Sequence, residues 1–325
     1  MKLFPKITLA IFLAISSFLV ISLFKVYPQE QPAMEWSEFS FILKPSSLGG
    51  VGVFAMHDIP AGTPLFRTDH RSRTFKTKDL DPEFIKYCVL VNDEECRGPE
   101  RFDRLEISWY LNHSHMPNIA KYDKPTDRGC YALKDIKAGD EILIDYSGLN
   151  EPEHLKEDYY KQSTTTTSTS TLNPPNQQAQ KNVSKTWSEF SFMLKPSSLG
   201  GIGVFAVHDI PTGTQVFRND HIIKTWKVKD LSLELRQYCI YLNDEECLGP
   251  ERFDRMEIGW YLNHSDTPNI AKNHEEMSTI HDIRARTERA FVTTKDIKAG
   301  DEILIDYNYL NEPEHLKEDY YKKSS

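Results

Sequence analysis

Cysteine is scarce in this chain and never closely spaced, which argues against a structural zinc site. The 325 residues include five cysteines, and no two of them form a CxxC or CxC pair. A structural zinc ion needs four ligands at close spacing, so we expect no bound metal. The odd number and the wide spacing also argue against a disulfide scaffold. Cys88 with Cys96 and Cys239 with Cys247 occupy matching positions in an internal repeat; they could pair in an oxidising lumen and would be ordinary thiols in the cytosol.

An excess of positive charge is also missing. The formal net charge is −9 and the sequence pI is about 5.7. A protein held to nucleic acid by phosphate contacts needs a basic face, so we expect no direct nucleic-acid binding. The acidity is compatible with a basic protein or peptide as partner. Charged residues at 27% and hydrophobic residues at 39% are typical of globular domains.

A long apolar run occurs only once, at the N-terminus. Residues 7–24 contain no charged side chain. At a rise of ~1.5 Å per residue in a helix, this length is just enough to cross a bilayer core. A cleaved signal peptide would have small residues at its cleavage point, and Leu23–Tyr27 has none. We therefore predict a single-pass anchor, with secretion after cleavage as the alternative; the side of the membrane is undetermined, because lysines flank the run almost equally.

The dominant feature of the sequence is a duplication. Trp36–Phe41 recurs at Trp187–Phe192, and Lys134–Tyr146 recurs unchanged at Lys295–Tyr307. The second copy has ten additional residues before the latter block. The same 13 residues, LNEPEHLKEDYYK, close both copies. Each copy has the length of a domain rather than of a solenoid repeat.

Between the copies lies a segment rich in Thr, Ser, Gln and Pro with almost no apolar residue. Such a segment buries too little to offset its ordering entropy, so we expect a flexible tether. The predicted organisation is an N-terminal membrane or signal segment at 1–30, a first domain at 34–162, the tether at 163–185 and a second domain at 186–325.

Short apolar runs bounded by Gly, Pro and Asp predict a mostly β fold with a few short helices. Strands are predicted at Val51–Ala55 and Glu141–Tyr146, and turns at Gly62 and Gly139. Helical stretches are predicted in both copies, at Asp79–Val91, Asp230–Leu242, Glu153–Lys161 and Glu314–Lys322.

Three clusters in each copy combine residue types that carry chemistry. The first is the glycine-rich Gly49–Ala55, which alone is typical of a turn. The second is Trp109–Asn118, where Asn112–Ser114 also fits an N-glycosylation sequon, as does Asn182–Ser184. The third is Ala138–Tyr146, where a tyrosine ends a strand beside an acid. Taken singly, a capped turn and a packing tyrosine explain the last two.

In this order and spacing the three clusters resemble the SET-domain lysine methyltransferases. The matching residues are Gly50–Gly52, Asn112–Asn118 and Gly139–Tyr146, and the second copy repeats all three. The resemblance covers about 36–148 and 187–309. It implies two tandem β-clip domains with a knot-like threading of the C-terminal segment, an exception to the rule against threading. The N-terminal hydrophobic helix would precede them.

The resemblance also implies an activity, which is the transfer of a methyl group from S-adenosyl-L-methionine to an exposed lysine of a protein or peptide substrate. Tyr146 and Tyr307 would be catalytic. The cofactor would contact backbone and side chains of Gly50, Gly52, Asn112, His113, Gly201, Gly203, Asn263 and His264. A SET-like module that binds a protein at a membrane without catalysis is the alternative, and a structural tandem domain is a third interpretation.

Some positions depart from the family pattern. Trp109–Tyr110 stands where Arg-Phe is common, and the cysteine-rich flanks of many members are absent. Tyr159–Tyr160 and Tyr320–Tyr321 would supply the walls of the lysine channel or form a plain amphipathic cap. Ile144 and its equivalent Ile305 occupy the position that tunes the number of methyl groups, so the product state stays open. The second copy is the longer and nearer to a full domain.

Overall fold

Short strands carry the fold in both copies. The computed structural model describes residues 37–66, 72–122, 129–161, 188–217, 223–272 and 291–322, and ten strands of each copy lie within these ranges. The strands of the first copy are β1 (Phe41–Pro45), β2 (Val51–Ala55), β3 (Pro64–Leu65), β4 (Ser72–Lys76), β5 (Val89–Leu90), β6 (Glu95–Pro99), β7 (Asn112–His113), β8 (Ile119–Lys121), β9 (Cys130–Ala132) and β10 (Leu143–Ile144).

The second copy repeats the series. Its strands are β11 (Phe192–Pro196), β12 (Ile202–Ala206), β13 (Gln215–Val216), β14 (Ile223–Lys227), β15 (Ile240–Tyr241), β16 (Glu246–Pro250), β17 (Asn263–His264), β18 (Ile270–Lys272), β19 (Phe291–Thr293) and β20 (Leu304–Ile305).

Helices in the described ranges are single turns. Two are α-helical, α1 (Pro82–Ile85) and α2 (Leu233–Arg236). The others are 3-10 turns at Thr77–Asp79, Ile107–Tyr110, Tyr146–Gly148, Glu153–Leu155, Val228–Asp230, Ile258–Tyr261, Tyr307–Leu310 and Glu314–Leu316.

Among the described residues, four small sheets build the first copy, and the second copy has the same four. Strands β1 and β2 form an antiparallel hairpin. Two antiparallel three-stranded sheets have the orders β3-β9-β8 and β4-β6-β5. The fourth sheet is a parallel pair, in which Leu143 of β10 lies opposite Asn112 of β7 and Ile144 lies opposite His113. This parallel pair joins segments that are 30 residues apart and forms the floor of the candidate site.

Apolar side chains between these sheets form the core. Phe41, Val53 and Ile142 of the first copy are buried, as are the equivalent Phe192, Val204 and Ile303. The hairpin turn before β2 needs glycine, since Gly50 has φ +65°. The core therefore uses the short apolar runs of the sequence, such as Val51–Ala55.

The predicted helices are wrong in extent. Only Pro82–Ile85 of the predicted 79–91 is α-helical; Asp81 caps it by accepting the Glu83 N–H at 2.9 Å, and the chain then turns into β5. The predicted terminal helix at 153–161 is a single 3-10 turn at Glu153–Leu155. The second copy departs from its predicted helices in the same way. In each case, pairing or packing with distant residues overrides the local helical pattern.

All five cysteines are free thiols. Burial raises the pKa of the Cys88 and Cys130 thiols above the ordinary value, so these side chains are poor nucleophiles in the folded protein.

Several predictions fall on other parts of the chain. The apolar run at 7–24, the tether at 163–185 and most of the additional residues of the second copy lie outside the described residues. Within the residues described, no helix is long and apolar enough to cross a bilayer. The knot-like threading stays a prediction.

Candidate functional site

The parallel pair of β7 and β10 brings the second and third sequence clusters together. The Ser114 N–H donates to the Ile144 carbonyl at 3.0 Å. One residue beyond β10 the chain turns back, and the Tyr146 N–H donates to Nδ1 of His113 at 3.1 Å. The histidine that ends β7 and the tyrosine that begins the 3-10 turn after β10 are thus fixed side by side.

Glu141 connects the first sequence cluster, the glycine-rich hairpin, to the other two clusters. The Asn112 amide donates to Oε1 of Glu141 at 2.8 Å and to the Val51 carbonyl at 3.2 Å. The hydroxyl of Ser46, before the glycine turn, donates to the other oxygen of Glu141 at 3.0 Å. Glu141 therefore connects the hairpin, the asparagine and β10.

Gly52 lies directly against this glutamate. A Cβ on Gly52 would be 2.9 Å from Cδ of Glu141 and 3.1 Å from Nδ2 of Asn112, so a side chain does not fit. By contrast, a Cβ on Gly50 would meet no atom within 4 Å. Glycine is needed at 52 for close approach and at 50 for the positive φ of the turn.

The surroundings of the His113 ring favour one neutral tautomer. Its Nδ1 accepts the Tyr146 N–H, so a neutral ring carries its proton on Nε2. Burial lowers the pKa of His113 below the ordinary value, which favours the neutral ring. Nε2 is buried and has no hydrogen-bond partner. A buried donor without a partner costs free energy unless a ligand satisfies it.

The Tyr146 hydroxyl donates its hydrogen to the protein backbone. It donates to the Leu111 carbonyl at 2.5 Å, so its proton points at the backbone and the remaining lone pairs of its oxygen are free to accept. Burial, and then the neighbouring Tyr159 and Tyr160, raise the pKa of Tyr146 well above its ordinary value. The phenol is therefore neutral at physiological pH and cannot serve as a general base.

The terminal segment supplies an aromatic wall. The ring centroids of Tyr146 and Tyr160 are 5.6 Å apart, and those of His113 and Tyr160 are 5.9 Å apart. Tyr160 is buried, and its hydroxyl donates to Oε2 of Glu151 at 2.5 Å. The other oxygen of Glu151 accepts the Leu90 N–H of β5 at 2.7 Å. A wall of a lysine channel and a plain amphipathic cap both fit this packing, so the role of the paired tyrosines stays a prediction.

Asn118 has a role that the sequence pattern did not reveal. Its side chain donates to the Glu141 carbonyl at 2.7 Å and accepts the Leu143 N–H at 2.8 Å. It thus pairs with β10 as a further strand residue would, and it holds the strand that leads to Tyr146. The Pro-Asn signal was visible in the sequence, but its partner 23 residues away was not.

The second copy reproduces this arrangement. Asn263 donates to Glu302 at 2.8 Å, the Tyr307 N–H donates to His264 at 3.2 Å, and the Tyr307 hydroxyl donates to the Leu262 carbonyl at 2.6 Å. His264 Nε2 is also buried without a hydrogen-bond partner, although it lies 3.4 Å from an exposed carboxylate oxygen of Asp266. The predicted site residues Asn263, His264, Gly203 and Tyr307 thus come together as their equivalents do.

Comparison with known proteins agrees with this geometry. The family model described as the SET domain matches residues 50–147 and 201–308. The chain belongs to the SET domain family. Both matched segments contain the GxG glycines, the Asn-His pair and the Asp-Tyr pair that follows the short strand β10 or β20.

Solved structures similar to the chain include SET-domain methyltransferases. A proposed histone methyltransferase of Plasmodium falciparum is 25% identical, with 35% of this chain and 90% of that chain covered and a TM-score of 0.24. The methyltransferase domain of human PR domain-containing protein 2 is 19% identical, with 40% and 90% covered and a TM-score of 0.26. KRYPTONITE, solved with DNA, a histone H3 peptide and SAH, is 21% identical, with 35% and 24% covered and a TM-score of 0.25. A search of curated proteins gave no significant match.

The residues of each SET copy fit S-adenosylmethionine on structural grounds. The buried Nε2 of His113 supplies a donor that no described residue satisfies, and Nε2 of His264 is buried in the same way in the second copy. In the described part of the chain, no group of three or more His, Cys, Asp or Glu side chains could hold a metal ion.

Proposed function

We propose that each SET copy binds S-adenosylmethionine and methylates lysine side chains of a protein substrate. The observation that carries the proposal is the meeting of three groups at one parallel strand pair: the Asn112 amide, the unpartnered His113 donor and the Tyr146 hydroxyl. Membership of the SET family supports methyl transfer as the class of reaction.

The cofactor would supply a methyl group on a sulfonium, which an amine attacks in line, so the protein has to position the reactants and exclude water. Gly52, Asn112 and His113 would hold the cofactor. Gly52 lets Glu141 and Asn112 pack against the hairpin. The Asn112 side chain would offer its oxygen, because both of its amide hydrogens are donated within the protein, and His113 would offer Nε2. The phenol oxygen of Tyr146 would accept a hydrogen bond from the amine or from the methyl group, because its own hydrogen is donated to the Leu111 carbonyl.

The attacking lysine must be neutral, and no described group at the site is suited to be its base. Tyr146 is held protonated, and His113 Nδ1 is occupied by a backbone N–H. The rings of Tyr146 and Tyr160 offer an apolar wall, and desolvation lowers the pKa of an amine. We infer that the amine loses its proton to water on entering, so the rate should rise with pH.

The alternative of a membrane-anchored binding module without catalysis rests on the apolar run at 7–24. We propose that this run anchors the chain to a membrane. Treatment of the expressed protein with a glycosidase tests on which side the domains lie, because a mobility shift would place them in the lumen, away from cytosolic S-adenosylmethionine.

Titration calorimetry of the protein with S-adenosylmethionine tests the function. We expect binding at up to two sites, loss of the second site in Asn263→Ala, and retention of both in Tyr146→Phe. Retention of binding with loss of turnover in the Tyr146 variant would separate the cofactor site from the catalytic step. A folded sample that gives no heat at any cofactor concentration would refute the cofactor assignment in both copies.

A further inference from the structure

The two copies contact each other through equivalent residues. The Ile107 N–H donates to the Asp254 carbonyl at 2.8 Å, and the Ile258 N–H donates to the Asp103 carbonyl at 2.9 Å. Ile258 is the equivalent of Ile107, and Asp254 is the equivalent of Asp103. Each contact is therefore made twice with the roles exchanged, which is the pattern of an isologous two-fold interface.

An ion pair between the copies is also made twice, with the roles of the copies exchanged. Arg104 Nε lies 3.2 Å from Oε1 of Glu257, and the equivalent Arg255 pairs with Glu106. Glu257 is 4% exposed, so it lies almost wholly within the contact. A buried carboxylate is tolerated only with a charged or hydrogen-bonding partner, and here the partner belongs to the other copy.

The Ser-Glu-Phe segment at the start of each copy reaches across to the other. Oε2 of Glu189 accepts the Phe102 N–H at 3.0 Å, and Oε2 of Glu38 accepts the Phe253 N–H at 3.1 Å. Glu189 also binds the Arg73 guanidinium at 2.8 Å. These glutamates satisfy backbone donors that the other copy leaves open.

The phenylalanine of the same segment enters an aromatic pocket of the other copy. Phe190 lies 5.5 Å from Phe84 and 5.4 Å from Phe102, measured between ring centroids. Phe39 lies 5.5 Å from Trp226 and 5.9 Å from Phe253.

The side chains that line the two pockets differ at two equivalent positions. Trp226 stands where the first copy has Phe75, and Leu235 stands where it has Phe84. One position has become larger and the other smaller, as expected where packing volume is maintained. Both pockets therefore accept the phenylalanine of the other copy.

We infer that residues 37–39 and 101–107 of the first copy, with 188–190 and 252–258 of the second, form a self-complementary surface that binds the copies together without help from the tether. This surface also fixes the segments that carry the site. The 3-10 turn Ile107–Tyr110 starts at the interface and leads directly to Leu111, Asn112 and His113. The consequence for catalysis rests on the function proposed above, whereas the association does not.

The association is tested on the whole chain with a protease site inserted in the tether and an affinity tag at the C-terminus. After cleavage we expect the first half to remain with the tagged half on the affinity matrix at physiological ionic strength. Glu257→Arg should release it, because Arg104 would then face a like charge. The exposed Glu245→Arg serves as the matched control and should release nothing.

The charge exchange Arg104→Glu with Glu257→Arg should restore at least part of the association, since it re-forms the pair in reverse. Release of the first half from the cleaved wild-type protein would overturn the inference, and so would failure of the exchange to restore any association when Glu257→Arg alone abolishes it.

Amide hydrogen exchange of the same proteins tests the positioning of the sites without any cofactor. We expect residues 105–113 and 256–264 both to exchange faster in Glu257→Arg and to recover in the charge exchange. Faster exchange in the second copy alone would show that the interface does not hold the site of the first. A protein that passes these tests and binds no S-adenosylmethionine would refute the proposed function and leave the interface standing.

Discussion

At the scale of single residues, substitutions of Tyr146 and Tyr307 should distinguish cofactor binding from methyl transfer. Each hydroxyl donates to a backbone carbonyl of its own copy, at 2.5 and 2.6 Å. Removing the oxygen leaves the ring packing in place but removes the only group that we assign to the reacting atoms. The two tyrosines therefore offer equivalent substitutions in two sites of one protein.

We expect Tyr146→Phe, made in a chain that already carries Tyr307→Phe, to lower kcat on the order of 100-fold or more, as loss of a single transition-state contact does. The dissociation constant for S-adenosylmethionine should change little. Either single variant should keep the turnover of the intact copy. If both single variants and the double variant were as active as wild type, the assignment of the tyrosines would be wrong.

His113 makes the stability of the protein depend on pH. Burial lowers its pKa in the folded state, so between that value and the ordinary pKa of ~6.5 the unfolded chain binds more protons than the folded one. Stability should therefore be lost as the pH falls below about 6.5. The melting temperature measured from pH 7.5 to 5.5 should fall more steeply for wild type than for His113→Gln; equal slopes would contradict the burial of a neutral ring.

Gly52 tests the close approach that the site requires. In Gly52→Ala, the new Cβ would press on Glu141, which Ser46 and Asn112 hold in place. Overpacking of this kind costs ~1–3 kcal/mol, so binding of S-adenosylmethionine to the first copy should weaken about tenfold or more. Gly148→Ala is the matched control, because a Cβ there meets no atom within 4 Å. Equal affinities of the two variants in calorimetry would refute the role of Gly52.

At the scale of elements, the terminal segment is held by a glutamate rather than by helical structure. Glu151 accepts both the Leu90 N–H and the Tyr160 hydroxyl, and Glu312 accepts the Tyr241 N–H and the Tyr321 hydroxyl in the same way. The wall of the site thus depends on one carboxylate that bridges a strand and a tyrosine.

Glu151→Ala should detach this wall from β5. The variant leaves two donors without their acceptor, which costs ~1–3 kcal/mol for each buried group. We expect faster amide exchange across residues 149–161 and a lower kcat in the first copy, with the second unchanged. The exposed Glu157→Ala is the control. Unchanged exchange in Glu151→Ala would show that packing of Tyr160 alone holds the segment.

The sequence predicted the elements whose signal is local. The strand at Val51–Ala55 and the turn at Gly139 were predicted correctly, because a short apolar run bounded by glycine and a glycine with positive φ are each visible within a few residues. The helices at 79–91 and 153–161 were predicted wrongly, because β-pairing at Val89 and the packing of Tyr160 come from distant partners. The family motifs located Asn112, His113 and Tyr146, but nothing local reveals that Glu141 and Asn118 connect them.

At the scale of the whole molecule, the interface between the copies could not be predicted from the local sequence either. The Arg-Phe-Asp-Arg segment recurs in both copies, yet its residue types alone are those of an ordinary solvated surface. Its role follows only from the reciprocal contacts of Arg104 with Glu257 and of Arg255 with Glu106. The segment of each copy therefore binds its own equivalent in the other copy.

The hydrogen bonds of Asn112 also bear on N-linked glycosylation at this residue. Its amide nitrogen, the atom to which an N-linked glycan would be attached, donates to both Val51 and Glu141, and Asn263 does the same in the second copy. An attached sugar would remove one of those hydrogens and would need the space that the hairpin fills. If the domains enter the lumen during synthesis, we expect a chain glycosylated at either position to fail to complete that domain.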